Sequence, residues 1–294
     1  MHSITRRDFL HYSAGAAGCL AVSAMPGRGA EDAKPAQAAS RFKLGACDWS
    51  LGKAQNPEAF QVAREIGLDG VEVSFGAPGG EHDLRDAAAR QKFQQAAQEH
   101  GLAFASLAMG LLNSIPYATD PRTEQWVSDV VDVMPQVGVK NCLLAFFGNG
   151  DLVGQRDKQD EVIRRLKRVA PRAEKAGVVL GIESWLNVDD HLRIVEAVGS
   201  PAVKVYYDVA NMTERGYPVV QEMRRLGKDL ICQIHMKENG QLLGKGKVDF
   251  ARVKDAILEI GYTGWLIIEG ATVPGRTLVD CYRENAQFLR QLLA

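Results

Sequence analysis

The sequence predicts an α/β protein built as a single (β/α)8 TIM barrel, and three observations carry the prediction. From Phe42 onward, eight short apolar runs alternate with amphipathic stretches. Each run is four to eight residues long and mostly apolar on both faces, as a parallel strand covered by helices requires. The segments between runs are of the length a crossover needs to return the chain parallel. The rival, an open doubly wound sheet, would place a Gly-rich phosphate turn after its first strand. The residues there read "GACDWSLGK".

In chain order, the first strand is expected at 42 to 48. It is followed by "NPEAFQVAREIG", a helical pattern closing on the Gly that a helix C-cap favours. Strands two and three fall at 70 to 75 and 103 to 109. Strand four, 140 to 147, runs into the Gly-rich "FFGNGDLVG", which lacks the G-x-G-x-x-G spacing and reads as an Asn-Gly turn. The helical pattern "DEVIRRLKRVAPRAEKAG" leads to strand five at 178 to 184. Strands six and seven are expected at 203 to 208 and 230 to 236, and "DFARVKDAILEIG" carries the chain to strand eight at 265 to 269. Eight such units in about 250 residues match one closed barrel over residues 41–294, without a second domain.

Residues 1–38 read differently. Thr5, Arg6, Arg7, Asp8, Phe9 and Leu10 form a twin-arginine pattern ahead of a weakly apolar stretch of about 15 residues, the mark of an export signal. That stretch is shorter than the roughly 18 residues that span a bilayer. Cleavage after Ala24, Ala30 or Ala38 would leave a soluble periplasmic or secreted protein, with a disordered Pro/Ala-rich linker up to Ser40. Cys19 in "AAGC" lacks the Leu of a lipid-attachment box. Twin-arginine export carries proteins already folded, which suits a cofactor loaded before export, and its destination is poor in phosphorylated metabolites.

Composition excludes other classes. Cleavage after Ala38 removes four basic and three acidic residues, moving the net charge from −1 to about −2 and leaving no basic footprint for nucleic acid. Cys47, Cys142, Cys232 and Cys281 form no C-x-x-C pair, so neither a thiolate zinc site nor a redox motif is indicated, and buried free thiols are expected. No membrane partner is expected after signal cleavage. Homo-oligomerisation stays open.

Barrel chemistry sits at the C-terminal strand ends. Strand five, "VVLGIESW", ends with Glu183; strand six, "VKVYYDVAN", with Asp208; strand seven supplies His235 in "LICQIHMKENG"; strand eight, "WLIIEG", ends with Glu269. Any one of these carboxylates alone would be read as a helix N-cap or a solvated loop residue. Adjacent strands lie about 4.8 Å apart, so four inward side chains would converge. Three carboxylates packed there would repel at a cost of several kcal/mol per unpaired buried ion. One divalent cation removes the conflict. Three oxygen ligands and one imidazole suit an open octahedral Mn2+, Mg2+ or Co2+ site, with Mn2+ first, better than tetrahedral zinc.

Together, "GIES", "YYDVAN", "IHMKE", "GKGKVDF" and "IIEG" make the chain from Phe42 to Ala294 resemble the xylose isomerase-like barrels, the sugar isomerase/epimerase superfamily. The resemblance implies that Glu183, Asp208, His235 and Glu269 hold one divalent metal. It also implies that Glu183 and Glu269 form the acid/base pair that ketose epimerases use. The chain departs from those epimerases in carrying Asn211 and Gln241, where they carry a substrate-binding His and Arg. Endonuclease IV shares the barrel but needs a three-metal cluster with further histidines that strands three and four here lack.

Around this set, Lys237 shares a strand face with His235 and should reach the pocket, either offsetting the excess negative charge or holding a substrate oxygen. Trp185 and Trp49 stand at the barrel mouth, to stack on a sugar or merely to pack. Asn211 and His82, the latter on the loop after strand two, complete the candidate substrate contacts. Lys245 and Lys247 occupy a place where barrels bind phosphate, but a Gly turn feeding an Asp249 N-cap explains the same residues and is the preferred reading for an exported enzyme. The expected activity is a metal-dependent isomerase or epimerase that abstracts a proton next to a carbonyl of an unphosphorylated sugar or keto-sugar, through an enediolate. The alternatives are a lyase or hydratase acting on 3-keto-glycosides and, third, a non-catalytic carbohydrate-binding barrel.

Overall fold

The structure is a computed structural model that describes residues 41–294; the twin-arginine pattern, the linker and Cys19 lie outside the described residues. The strands are β1 (Phe42–Cys47), β2 (Gly70–Ser74), β3 (Ala103–Met109), β4 (Asn141–Phe146), β5 (Val179–Ser184), β6 (Val203–Asp208), β7 (Ile231–Glu238) and β8 (Gly264–Gly270). All pair in parallel with their sequence neighbours, and β1 pairs with β8 to close the barrel. Crossovers are made by α1 (Ala59–Ile66), α2 (Ala87–His100), α3 (Arg122–Val133), α4 (Arg156–Ala176) and α5 (Val188–Val198). A short α6 (Val209–Glu214) and then α7 (Val219–Leu230) follow β6, α8 (Phe250–Glu259) joins β7 to β8, and α9 (Leu278–Leu293) ends the chain.

The helices lay apolar stripes on the outside of the barrel: Phe60 and Ala63 of α1, Val162, Leu166 and Ala173 of α4, Val253 and Ile257 of α8 are all buried. This is why the strands read as apolar on both faces. Several crossovers end where expected on a left-handed glycine, as at Gly177 after α4 (φ 69°), whose amide caps the carbonyls of Ala173 and Glu174. Strand seven runs two residues beyond its expected end, because Lys237 and Glu238 stay in register with Glu269 and Gly270.

Inside the barrel, size complementarity fills the floor. A Cβ on Gly70 would lie 2.4 Å from the Ala103 carbonyl oxygen and 2.6 Å from the Trp265 ring, so only glycine leaves the indole its place. Two register shifts matter for what lies above. One, opposite Val71 and Glu72, sets Glu72 level with Ser106; the other, opposite Val205 and Tyr206, sets Tyr206 level with Gln233. Four polar side chains thereby enter the middle of an otherwise apolar interior. Among the described residues the four cysteines are free, and no helix is long and apolar enough to cross a membrane.

Candidate metal centre and its cavity

Glu183, Asp208, His235 and Glu269 come from four successive strands, and one ligand atom from each lies within 4.8 Å of the other three. The centre of the group is His235 Nδ1: Glu183 Oε1 is at 2.8 Å, Glu269 Oε2 at 3.3 Å and Asp208 Oδ2 at 3.7 Å. Asp208 serves two ends at once. Its Oδ1 caps α6 by accepting from the amides of Ala210 and Asn211, both at 2.8 Å, while Oδ2 is buried without a hydrogen-bond partner and faces the cluster.

That orphaned oxygen, among two buried carboxylates and one half-buried one with one neighbouring ammonium, is the observation that fits a cation. An unsatisfied buried anion is costly, and a cation beside it would lower that cost. Oxygen ligands with a single imidazole are the donor set of a hard divalent metal.

The two glutamates differ in their surroundings. Glu269 Oε1 accepts from the Trp49 indole N–H at 3.0 Å, and Oε2 accepts from Lys237 Nζ at 2.9 Å. Burial alone would raise its pKa, but His235 and Lys237 outweigh burial and hold it well below the usual carboxylate range. Burial dominates at Glu183, whose close polar neighbour is the His235 ring, and pushes it up to about 7. Lys237 stays protonated: burial works against its charge, but Asp208, Glu269 and Glu183 overcome it. Lys237 Nζ lies 3.6 Å from Asp208 Oδ2.

Above the cluster opens a cavity of about 410 Å3. Glu183 and Glu269 border it, whereas Asp208 and His235 lie beneath and are not among its lining residues. Trp49, Trp185, Asn211 and Lys237 also line it. The Trp185 ring meets Phe147 edge-on with centroids 5.1 Å apart. His82 is elsewhere: it is not a lining residue, and its ring packs edge-on against Phe93 of α2, 6.1 Å between centroids. Lys245 and Lys247 are also outside the cavity wall; Asp249 caps α8 and buried Glu238 accepts from the Lys247 amide, so the Gly-rich turn is held for structural reasons.

Sequence reasoning missed two buried carboxylates that bear on this site. Glu72 is fully buried, with Oε1 3.0 Å from His235 Nε2. Its signal was available, since "VEVS" puts a charge in the middle of a strand that is otherwise apolar. Asp48 accepts from the amides of Gln55 and Ser74 and from the Ser74 hydroxyl, and burial raises it to about 6. It anchors the turn that carries Trp49.

The turn after Glu183 has its own anchor. Ser184 Oγ accepts from the Leu186 amide and pairs with His191 Nε2 at 2.9 Å. Burial lowers the His191 pKa from 6.5 to about 4. In the unfolded chain this imidazole takes a proton near pH 6.5, in the folded one only near pH 4, so its contribution is present above pH 6.5 and lost as pH falls to 4. Relative to His191→Gln, the parent protein should therefore lose on the order of 3 kcal/mol over that window. Urea denaturation of both proteins at pH 7, 5.5 and 4.5 checks this, and a stability difference independent of pH would contradict it.

A model of the family described as xylose isomerase-like TIM barrel matches residues 60–292. A 2-epi-5-epi-valiolone 7-phosphate 2-epimerase of Actinoplanes sp. is 27% identical over 256 residues, covering 83% of this chain and 88% of its own. An L-ribulose 3-epimerase of Mesorhizobium japonicum is 27% identical over 241 residues, 75% of this chain and 78% of its own. Among solved structures, a 3-keto-D-glucoside 4-epimerase from E. coli superposes with a TM-score of 0.66 at 16% identity, over 85% of this chain and 99% of that one, and shares its fold.

Proposed function

The chain belongs to the xylose isomerase-like TIM barrel family, and from that premise we propose that it is a divalent-metal-dependent sugar isomerase or epimerase acting next to a carbonyl of an unphosphorylated sugar or keto-sugar. The observation that carries the reading is the division of the cluster. All four side chains converge on one point, yet only the two glutamates reach the cavity. Ligands alone could all lie below; groups that exchange protons with a substrate must face it.

Glu183, Asp208, His235 and Glu269 would hold the cation, with Mn2+ first and Mg2+ or Co2+ as alternatives. Bound there, it supplies Lewis-acid polarisation of the substrate carbonyl. The chain's own residues do the rest. One of Glu183 and Glu269 takes the proton from the carbon next to the carbonyl, leaving an enediolate, and the other can return it. Trp49 and Lys237 keep Glu269 in place through both of its oxygens. The Lys237 ammonium adds positive charge beside the developing oxyanion, and Asn211 and Trp185 offer an amide and an aromatic face to the sugar.

The wall supports this substrate class. Lys237 is the one cationic side chain among the described lining residues, and it is already paired with Glu269, so a phosphate group finds no free counter-charge. Export by the twin-arginine route to the periplasm is part of the same proposal and agrees with that choice. The apolar wall of Phe75, Leu111, Phe147 and Trp185 gives room for a group attached to the sugar. That favours, as the second reading, a lyase or hydratase on 3-keto-glycosides.

The test is NMR of a panel of keto-sugars and 3-keto-glycosides in D2O, with protein whose metal has been identified by elemental analysis. Deuterium entering a carbon next to the carbonyl is expected. Released aglycone would select the lyase, and no exchange in any member would sink both readings.

A further inference from the structure

Behind His235, on the side away from the cavity, a chain of hydrogen bonds crosses the barrel interior, and its direction can be deduced without seeing a hydrogen. Asn141, at the start of β4, places Nδ2 3.0 Å from the Cys232 carbonyl oxygen and 3.0 Å from Gln233 Oε1. A carbonyl oxygen only accepts, so the Asn141 atom is the amide nitrogen, and the Gln233 atom beside it is the amide oxygen. Gln233 Nε2 must then donate to Ser106 Oγ at 2.7 Å and to Tyr206 Oη at 3.0 Å. Each hydroxyl has a single proton, and each spends it on Glu72 Oε2, at 2.5 and 2.8 Å. The remaining Glu72 oxygen, Oε1, is 3.0 Å from His235 Nε2.

We propose that this one-way chain, ending in Glu72, fixes the His235 ring with its proton on Nε2 and its Nδ1 lone pair toward Glu183, Asp208 and Glu269, making Glu72 the positioning residue of the cation site. Glu72, Ser106, Gln233 and His235 are fully buried and Tyr206 nearly so. A neutral imidazole that offers Nδ1 to a cation carries its proton on Nε2, where Oε1 is the acceptor in reach. The carboxylate also strengthens the ring as a donor. Cys47 Sγ lies 3.5 Å from both Nε2 and Oε1, so Cys47, Glu72 and His235 form a second triad of ligand-type atoms. The direct Nε2–H to Oε1 hydrogen bond accounts for that triad without a second cation.

This inference rests on the cluster being a cation site, and the experiment separates the two. The Mn2+ affinity and stoichiometry of the full chain are measured by competition with a chromophoric chelator. The parent should bind one equivalent. Glu72→Gln sets an NH2 group against committed hydroxyl protons or against Nε2–H, and should weaken binding about 10- to 100-fold. The double variant Glu72→Gln, Gln233→Glu reverses the two hydroxyls and restores an acceptor to Nε2–H, so it should regain most of that loss. Should Glu72→Gln fail to fold, Ser106→Ala, which removes one donor to Oε2, should weaken binding a few-fold. Unchanged affinity in whichever single variant is measured, a double variant no better than Glu72→Gln, or two equivalents in the parent would overturn the proposal. A parent that binds no cation would bring down the proposed function as well.

Discussion

Glu183→Gln and Glu269→Gln should each lower solvent-deuterium incorporation into substrate by about 100- to 10,000-fold, the range that a positioned acid or base contributes. Glutamine keeps the size of the side chain and an oxygen for the cation, but can neither take nor return a proton. The two variants should differ in stability. Glu183 is a buried carboxylate raised to about 7, so neutralising it removes a charge that burial already disfavours. The cation-free Glu183→Gln protein should therefore be at least as stable as the parent. Glu269 is the partner of Lys237, at 2.9 Å in a half-closed site. Removing its charge leaves an ammonium facing fewer counter-ions and should cost up to about 3 kcal/mol. NMR exchange rates and thermal melts of both variants test this pair of effects. Full exchange activity in both would remove the acid/base assignment, and equal melting points would contradict the difference in environment.

Exhaustive chelation should abolish exchange altogether, and should also soften the fold. Without a cation, Asp208 Oδ2 has no hydrogen-bond partner and three carboxylates crowd one imidazole. Adding back the cation at 100 times its dissociation constant should stabilise the protein by about 2.7 kcal/mol, a rise in Tm of roughly 5–10 °C for a chain of this size. Asp208→Asn should lose most of that rise, because the orphaned anionic oxygen is gone while the cap on α6 is kept by the amide oxygen. Calorimetry with Mn2+, Mg2+ and Co2+ in turn reads the effect and ranks the metals. Activity that survives chelation, or a Tm indifferent to all three, would overturn the metal dependence.

The chain could be divided into barrel units from its residues because each strand is buried on both faces and so cannot hide among solvated segments. Glu183, Asp208, His235 and Glu269 were legible for the complementary reason: each is a polar residue at or near the end of an apolar run, where burial makes polarity expensive without a purpose. His82 was less legible, since a loop histidine gives no sign of which way the loop folds, and this one packs on Phe93 of α2. Glu72 was passed over because a mid-strand carboxylate has meaning only once its partners are known, and Ser106, Tyr206 and His235 lie 34, 134 and 163 residues away.

By itself, then, the sequence determined the eight βα units, the strand ends and the four polar side chains at the ends of strands five to eight, all of which depend on local periodicity and on the cost of burying charge. Tertiary structure alone decided that Trp49 of the first βα loop would hold Glu269 of the last strand, that Lys237 would pair with the same carboxylate, and that two register shifts would build the chain of hydrogen bonds behind His235. Those contacts depend on barrel closure and on single-residue slips between strands. A slip of one residue changes which side chains face each other without changing the composition or the pattern of either strand.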